Sequence, residues 1–171
     1  MNSAMQTYVK YVDRFNYVIG RIVMYGIFAM VAILAWSIIT KIRILELNPS
    51  LWTLEMAQFA MVAYYILGGP YSIQLKANIR MDLFYHNWTD RKKASFDAFT
   101  VLFLVFYLGV LLYGAIDSTI YSYEYKQRTP SAWRPYIWPV KAMMVVGIFM
   151  MMLQAISEFF KDVLKLRGAP V

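Results

Sequence analysis

The sequence predicts an all-α integral membrane protein: four transmembrane helices preceded by an amphipathic interfacial helix, with both termini in the cytoplasm. Of its 171 residues, 60% are hydrophobic and only 16% are charged, whereas about a quarter of the residues in a soluble domain are charged. The hydrophobic residues form four long runs with few charges, and runs of about 18 residues or more are typical of membrane-spanning helices. Lysines and arginines flank these runs, as topology-determining charges do.

The runs divide one membrane domain, residues 1–171, into successive elements. In residues 5–20, Met5, Tyr8, Val12 and Phe15 recur at helical spacing with charged residues between them. This pattern predicts the interfacial helix, although a cytoplasmic extension of the first span would show it too. The four predicted spans are residues 22–40, 52–75, 96–116 and 139–160.

The orientation follows from the distribution of positive charge. Eleven of the 17 lysines and arginines lie in the N-terminal segment, the loop between the second and third spans, and the C-terminal tail, and six lie on the other side. Because the cytoplasmic side carries the excess, both ends are predicted to be cytoplasmic. Lys141 and Glu158, near opposite ends of the last span, are expected to extend toward the lipid headgroups.

Composition excludes several classes of function. The chain has no cysteine and one histidine, His86, so it lacks the ligands of iron–sulfur clusters, zinc sites and bis-histidine haem. No phosphate-binding glycine loop, Ser–His–Asp set or paired-carboxylate site is evident. We therefore predict no enzymatic activity, no cofactor and no metal, and we assign the net charge of +7 to membrane topology and not to nucleic-acid binding.

Glu55 is the most informative single residue, because a carboxylate one turn into a membrane span is costly unless it is paired or faces water. Helical geometry places Glu55, Gln58 and Gly69 on one face, a pattern that suits contact with another helix. The preferred interpretation pairs Glu55 with a cation such as Lys41 or Arg43, or with a cation of a partner. A proton or substrate site, and simple exposure at the interface, remain alternatives.

Two other segments carry candidate residues. Arg80 and Asp82 follow the second span on the predicted cytoplasmic side, where they could pair with each other or with a partner's loop. On the opposite side, residues 117–138 are rich in proline and aromatic residues, which predicts an ordered loop lying on the membrane surface. The candidates in and next to this loop are Thr129, Pro130, Tyr136 and Pro139.

The stretch W-T-L-E-M-A-Q-F-A-M-V-A-Y-Y-I-L-G-G-P-Y-S-I-Q-L-K-A-N-I-R-M-D, residues 52–82, resembles the small, DctQ-like membrane subunit of tripartite ATP-independent periplasmic (TRAP) transporters. The positions that fit the family pattern are Trp52, Glu55, Gly68, Ile79 and Asp82. Residues 129–140, T-P-S-A-W-R-P-Y-I-W-P-V, resemble a second family landmark. The sequence departs from the family at Gln58, where arginine is common, and at Asn78, where histidine is usual.

The resemblance implies a small, non-catalytic subunit in the bacterial inner membrane. Its implied partners are a large permease subunit, whose scaffold it stabilises, a periplasmic substrate-binding protein and membrane lipids. The implied process is sodium-driven uptake of organic acids. Two rival interpretations remain, an autonomous small proton-coupled exporter and an anchor subunit of another membrane complex.

Overall fold

The structure, a computed structural model, describes residues 2–42, 50–75 and 89–166, and these residues are mostly helical. The described part of the chain contains no β-strand; one isolated antiparallel bridge joins Arg128 and Tyr136. The predicted all-α class is therefore confirmed. In chain order the helices are α1 (Asn2–Met24), α2 (Gly26–Lys41), α3 (Thr53–Gln74), α4 (Asp90–Glu124) and α5 (Trp138–Leu166).

Three helical stretches are long and apolar enough to cross a membrane: Ala4–Lys41, which joins α1 and α2, Ser95–Glu124 and Trp138–Leu166. Helix α3 has 22 residues, so at 1.5 Å per residue it is about 33 Å long, sufficient to cross the hydrocarbon core. Its polar residues, among them Glu55 and Gln58, keep it below the apolarity of the other stretches. The second predicted span, at 52–75, therefore stays a prediction.

Some helix bounds differ from the predicted segments. Helices α4 and α5 extend beyond residues 96–116 and 139–160, because polar residues at their ends continue the helix. The predicted first span is divided at Tyr25, where α1 ends. The N–H of Tyr25 donates to the carbonyl of Ile22, three residues earlier, at 3.1 Å, in place of the four-residue separation of an α-helix. Residues 5–20 are helical as part of α1, whereas their location at the membrane interface stays a prediction.

Helices α2, α3, α5 and α4 pack side by side in that order, as a single layer. Helix α1 lies against α3 and α5. In the described residues, α4 packs only against α5, and α2 touches only α3 and, more weakly, α1. The layer therefore does not close into a four-helix bundle. Its hydrophobic core lies at the contact between α4 and α5, where Leu108, Ile148 and Ala155 are buried.

Contacts along the layer fix the helix directions. Helix α2 runs antiparallel to α3, because Ser37 meets Thr53 at one end and Gly26 meets Tyr64 farther along. Helix α5 runs parallel to α3, because Ile66 meets Gly147 and Gly69 meets Met151. Helix α3 is thus flanked over most of its length by two helices that belong to candidate spans.

Helix α1 crosses its neighbours obliquely. Asp13 lies level with Gln74 of α3, and Gly20 lies level with Tyr71. Residues 13 to 20 advance about 10 Å along α1, whereas residues 71 to 74 advance only about 5 Å along α3. Helix α1 is therefore steeply inclined to α3, and the two approach closely at Gly20.

Candidate functional site

A polar network joins α1 to α5. Lys161 Nζ lies 2.6 Å from Asp13 Oδ2 and 2.6 Å from Glu158 Oε1. The other carboxylate oxygen of Asp13 accepts hydrogen bonds from Gln154 Nε2, 3.0 Å, and Ser157 Oγ, 2.9 Å. One lysine thus bridges two carboxylates, and the hydrogen bonds orient one of them.

Two amides extend this network toward α3 and the interior. Asn16 Nδ2 donates to Gln154 Oε1 at 2.7 Å, and both residues are almost fully buried. Gln74 Nε2 donates to the backbone carbonyl of Asp13 at 3.1 Å. The amide oxygens of Asn16 and Gln74 are buried and accept no hydrogen bond within the described residues. The network therefore ties together three helices, α1, α3 and α5.

The expectation that Glu158 extends to the headgroups is wrong, because its side chain is only 8% exposed and lies against Lys161. The sequence does contain a signal for this arrangement. Gln154, Ser157, Glu158 and Lys161 follow the i, i+3, i+4, i+7 spacing of one helix face. A polar stripe in an apolar helix marks a buried partner, and in this structure the partner is Asp13.

At the opposite end of α5, Lys141 binds α4. Its ammonium donates to the carbonyl of Ser118, 3.3 Å, to Ser118 Oγ, 2.8 Å, and to Ser122 Oγ. Ser122 in turn donates to Gln127 Oε1 at 2.8 Å. Lys141 therefore contacts α4, and its extension toward the headgroups stays a prediction. Its hydrogen bonds join the two ends of the α4–α5 connection.

Glu55 is buried near the start of α3, with 7% of its surface exposed. Its Oε2 has no hydrogen-bond partner within the described residues. Lys41, one of the two predicted cations, is exposed and makes no ion pair with it, and Arg43 lies outside the described residues. The neighbouring polar contact joins helices instead, since Thr53 Oγ1 lies 3.0 Å from Ser37 Oγ of α2.

The residues predicted to share a face with Glu55 differ in their burial. Gln58 is exposed, whereas Gly69 lies at the α5 contact, where a Cβ would come 2.6 Å from Met151 Sδ. Trp52 precedes α3 and is 38% exposed. Gly69 is therefore covered by α5, whereas Gln58 is left exposed by the described residues.

The loop before α5 is bridged by its own backbone. Thr129 N–H donates to the carbonyl of Pro135 at 3.0 Å. The Arg128 guanidinium lies 4.3 Å from the ring centroid of Tyr136 and donates to its hydroxyl. Pro130 is exposed in the loop, and Pro139 is exposed in the first turn of α5, where its missing N–H removes no helical bond.

Two predicted site residues, Arg80 and Asp82, lie outside the described residues, as does His86. In the part of the chain that the structure describes, no three His, Cys, Asp or Glu residues are grouped so that they could hold a metal ion. The polar side chains instead form contacts between helices.

The family model of the DctQ component of tripartite ATP-independent periplasmic transporters matches residues 30–165. This segment includes most of α2, all of α3 and α4, and nearly all of α5. It contains the bridged loop and the α5 residues of the Lys161 network, whereas Asp13 and Asn16 precede it. Comparison with curated proteins and with solved structures found no match. Since the matched segment covers most of the chain, the protein belongs to the family of DctQ components, the small permease components of TRAP transporters.

Proposed function

We propose that this chain is a non-catalytic frame subunit, which packs against and stabilises the large permease subunit of a sodium-driven, binding-protein-dependent transporter of organic acids. The observation that carries the proposal is the open layer of helices. Helices α2, α3, α5 and α4 lie side by side, and α2 and α4 do not meet. A layer of this kind offers broad surfaces to a partner and does not enclose a path for a substrate.

The placement of polar groups supports the same role. The Lys161 network lies toward one end of α5, and Lys141 lies at the other. Between these two polar groups, the contact between α4 and α5 is apolar, with Leu108, Ile148 and Ala155 buried. Transport sites in membrane proteins require polar groups near the middle of the bilayer, whereas a frame requires interhelical contacts that hold its shape.

The proposal includes a topology of four membrane spans with both termini in the cytoplasm. Helix α3 lies between α2 and α5 and runs alongside both, which favours its crossing the same thickness of membrane. The excess of positive charge near the two termini and in the loop after α3 favours the cytoplasmic location of both ends. The oblique course of α1 is compatible with a helix at the membrane interface.

The test is reconstitution with the two expected partners. The tagged chain, the large permease subunit and the binding protein would be expressed together, purified and incorporated into vesicles. We expect the chain to co-purify with the large subunit. Uptake of an organic acid should require a sodium gradient and all three proteins. Full uptake without this chain would contradict the frame role, and proton-coupled drug transport by this chain alone would favour the exporter.

Glu55 supplies a prediction about the frame. A buried charged carboxylate is strongly destabilising without a partner. Lys41 does not provide one, so Arg43 is the remaining one of the two cations that the sequence suggested. We expect Glu55→Gln and Arg43→Gln to destabilise the purified chain by similar amounts. The double variant should be no less stable than either single variant, with a coupling energy of about 1–3 kcal/mol.

The measurement is the free energy of unfolding in detergent for all four members of the cycle, with Lys41→Gln as the matched control. Lys41→Gln should leave stability unchanged, because Lys41 is exposed. Strictly additive losses for Glu55→Gln and Arg43→Gln would exclude the pairing within this chain.

A further inference from the structure

Helix α3 and the residues flanking it carry a largely exposed stripe that extends along the whole helix. Its members are spaced alternately by three and four residues: Leu51, Leu54, Gln58, Met61, Tyr65, Gly68, Ser72 and Leu75. In the structure, Leu51, Leu54, Met61, Tyr65 and Leu75 are 47–64% exposed, Gln58 is also exposed, and Gly68 and Ser72 are half-buried. We call these eight residues the α3 seam.

The spacing identifies the kind of surface that the α3 seam forms. A repeat of 3.5 residues is the pattern of a helix that packs along a second, nearly parallel helix, with side chains fitting into gaps on the partner. The residues buried inside this chain occupy other positions of α3, such as Thr53, Glu55 and Ala57. Contacts among residues 2–42, 50–75 and 89–166 therefore do not explain the repeat.

The presence of Gln58 indicates that the α3 seam faces protein and not lipid. Its side chain is exposed and has no hydrogen bond within the described residues. In hydrocarbon an unsatisfied amide is costly, whereas in a helix–helix contact glutamine finds a partner across the interface. A single polar residue in such a repeat also fixes the register of the two helices.

Helix α4 shows the contrasting pattern. Among the described residues it packs against α5 alone, and its exposed side chains include Phe99, Phe103, Val110, Leu111 and Ile116. These side chains are all apolar and together extend around more than half of the helix circumference, as suits a surface in contact with lipid. This surface of α4 therefore differs in chemistry from the α3 seam, which carries the amide of Gln58.

A groove lies alongside part of the α3 seam. A cavity of about 560 Å³ lies between α1 and α3, and its lining includes Tyr65, Gly68 and Ser72 of the seam together with Gly20 and Met24 of α1. A Cβ built on Gly68 meets nothing within 4 Å. The groove is therefore open where the seam has its smallest residue, and a bulky side chain from another helix fits there.

We propose that one transmembrane helix of the large permease subunit packs along the α3 seam, with a hydrogen-bonding group opposite Gln58 and a bulky apolar side chain over Gly68. The proposal rests on the proposed function, and it names the surface through which the frame contacts its partner. A second copy of this chain and a lipid acyl chain are the competing occupants.

The first test fills the groove. Gly68→Leu should leave the isolated chain folded, because the site is open, and should reduce recovery of the large subunit with the tagged chain by about tenfold or more. Gly109→Leu and Gly114→Leu are matched controls, since they place the same side chain in open space on α4. They should leave recovery unchanged. Normal recovery with Gly68→Leu would overturn the proposal while leaving the frame role intact.

The second test identifies the occupant directly. A photoreactive phenylalanine analogue would be incorporated at Met61 of the α3 seam or at Phe103 of α4, in membranes that contain the whole transporter. We expect an adduct with the large subunit from position 61 only. A dimer of this chain, or only lipid adducts, from position 61 would overturn the proposal. Failure of the unmodified chain to co-purify with the large subunit would instead refute the proposed function, and the α3 seam assignment with it.

Discussion

Lys161→Met is expected to destabilise the chain by about 3 kcal/mol, within the range measured when one member of a buried ion pair is removed. The ammonium lies 2.6 Å from both Asp13 and Glu158. Without it, two carboxylates remain close together, and neither has another cation among the described residues. The measurement is the free energy of unfolding in detergent, followed by circular dichroism during titration with a denaturing surfactant.

The matched control for this variant is one turn farther along α5. Lys165→Met removes a lysine that is 47% exposed and lies 3.7 Å from Asp162, so its effect should stay within about 0.5 kcal/mol. Adding Glu158→Gln to Lys161→Met should restore part of the lost stability, because a single carboxylate then remains. Equal losses for Lys161→Met and Lys165→Met would show that the Asp13–Lys161–Glu158 contact does not hold α1 in place.

This contact matters for the shape of the subunit because, in the part of the chain that the structure describes, it is the ion pair that joins α1 to α5. The helix is joined to α2 through Tyr25, and at Gly20 it lies against the side chain of Tyr71 of α3. Its hydrogen bonds to α5 cluster at Asp13 and Asn16, with one more from Tyr8 Oη to the carbonyl of Leu153, 3.3 Å. One wall of the groove beside the α3 seam is α1, so a displaced α1 would also change the proposed docking surface.

Hydropathy predicted where the helices are, but it did not predict how far they extend. Membrane thickness sets the length of an apolar run, whereas a helix continues as long as its backbone bonds are satisfied and nothing interrupts it. Helix α4 therefore begins at Asp90 and ends at Glu124, well outside the apolar segment. The predicted segment at 52–75 agrees closely with α3, because here the apolar run and the helix end at nearly the same residue, next to Gln74.

Which helix faces meet was not readable from the sequence. The hydrogen bond from Ser157 to Asp13 joins residues 144 positions apart, and hydropathy carries no information about such pairs. The polar stripe on α5 indicated a partner without identifying it. The α3 seam was likewise present in the sequence as a repeat, but only the structure distinguishes an exposed repeat from one that is buried against another helix of the same chain.

Gly147→Ala is expected to destabilise the chain, although alanine ordinarily stabilises a helix by about 1 kcal/mol relative to glycine. A Cβ at this position would overlap Ile66 Cγ2 and lie 3.1 Å from the backbone carbon and oxygen of Ile66. Pro70 removes the N–H that would normally bond to the Ile66 carbonyl, so α5 can approach this carbonyl closely through a Cα–H of glycine. The expected cost is about 1–3 kcal/mol, typical of overpacking.

The atoms that an added methyl group would meet differ among the glycines, so the expected change in stability differs as well. At Gly69 the added methyl group meets the flexible side chain of Met151, which can move, so Gly69→Ala should cost less than Gly147→Ala. At Gly109 and Gly114 nothing lies within 4 Å, and alanine there should raise the free energy of unfolding. An increase in stability for Gly147→Ala would mean that α5 does not approach α3 at the carbonyl of Ile66. The parallel α3–α5 pair at the centre of the layer would then be packed differently.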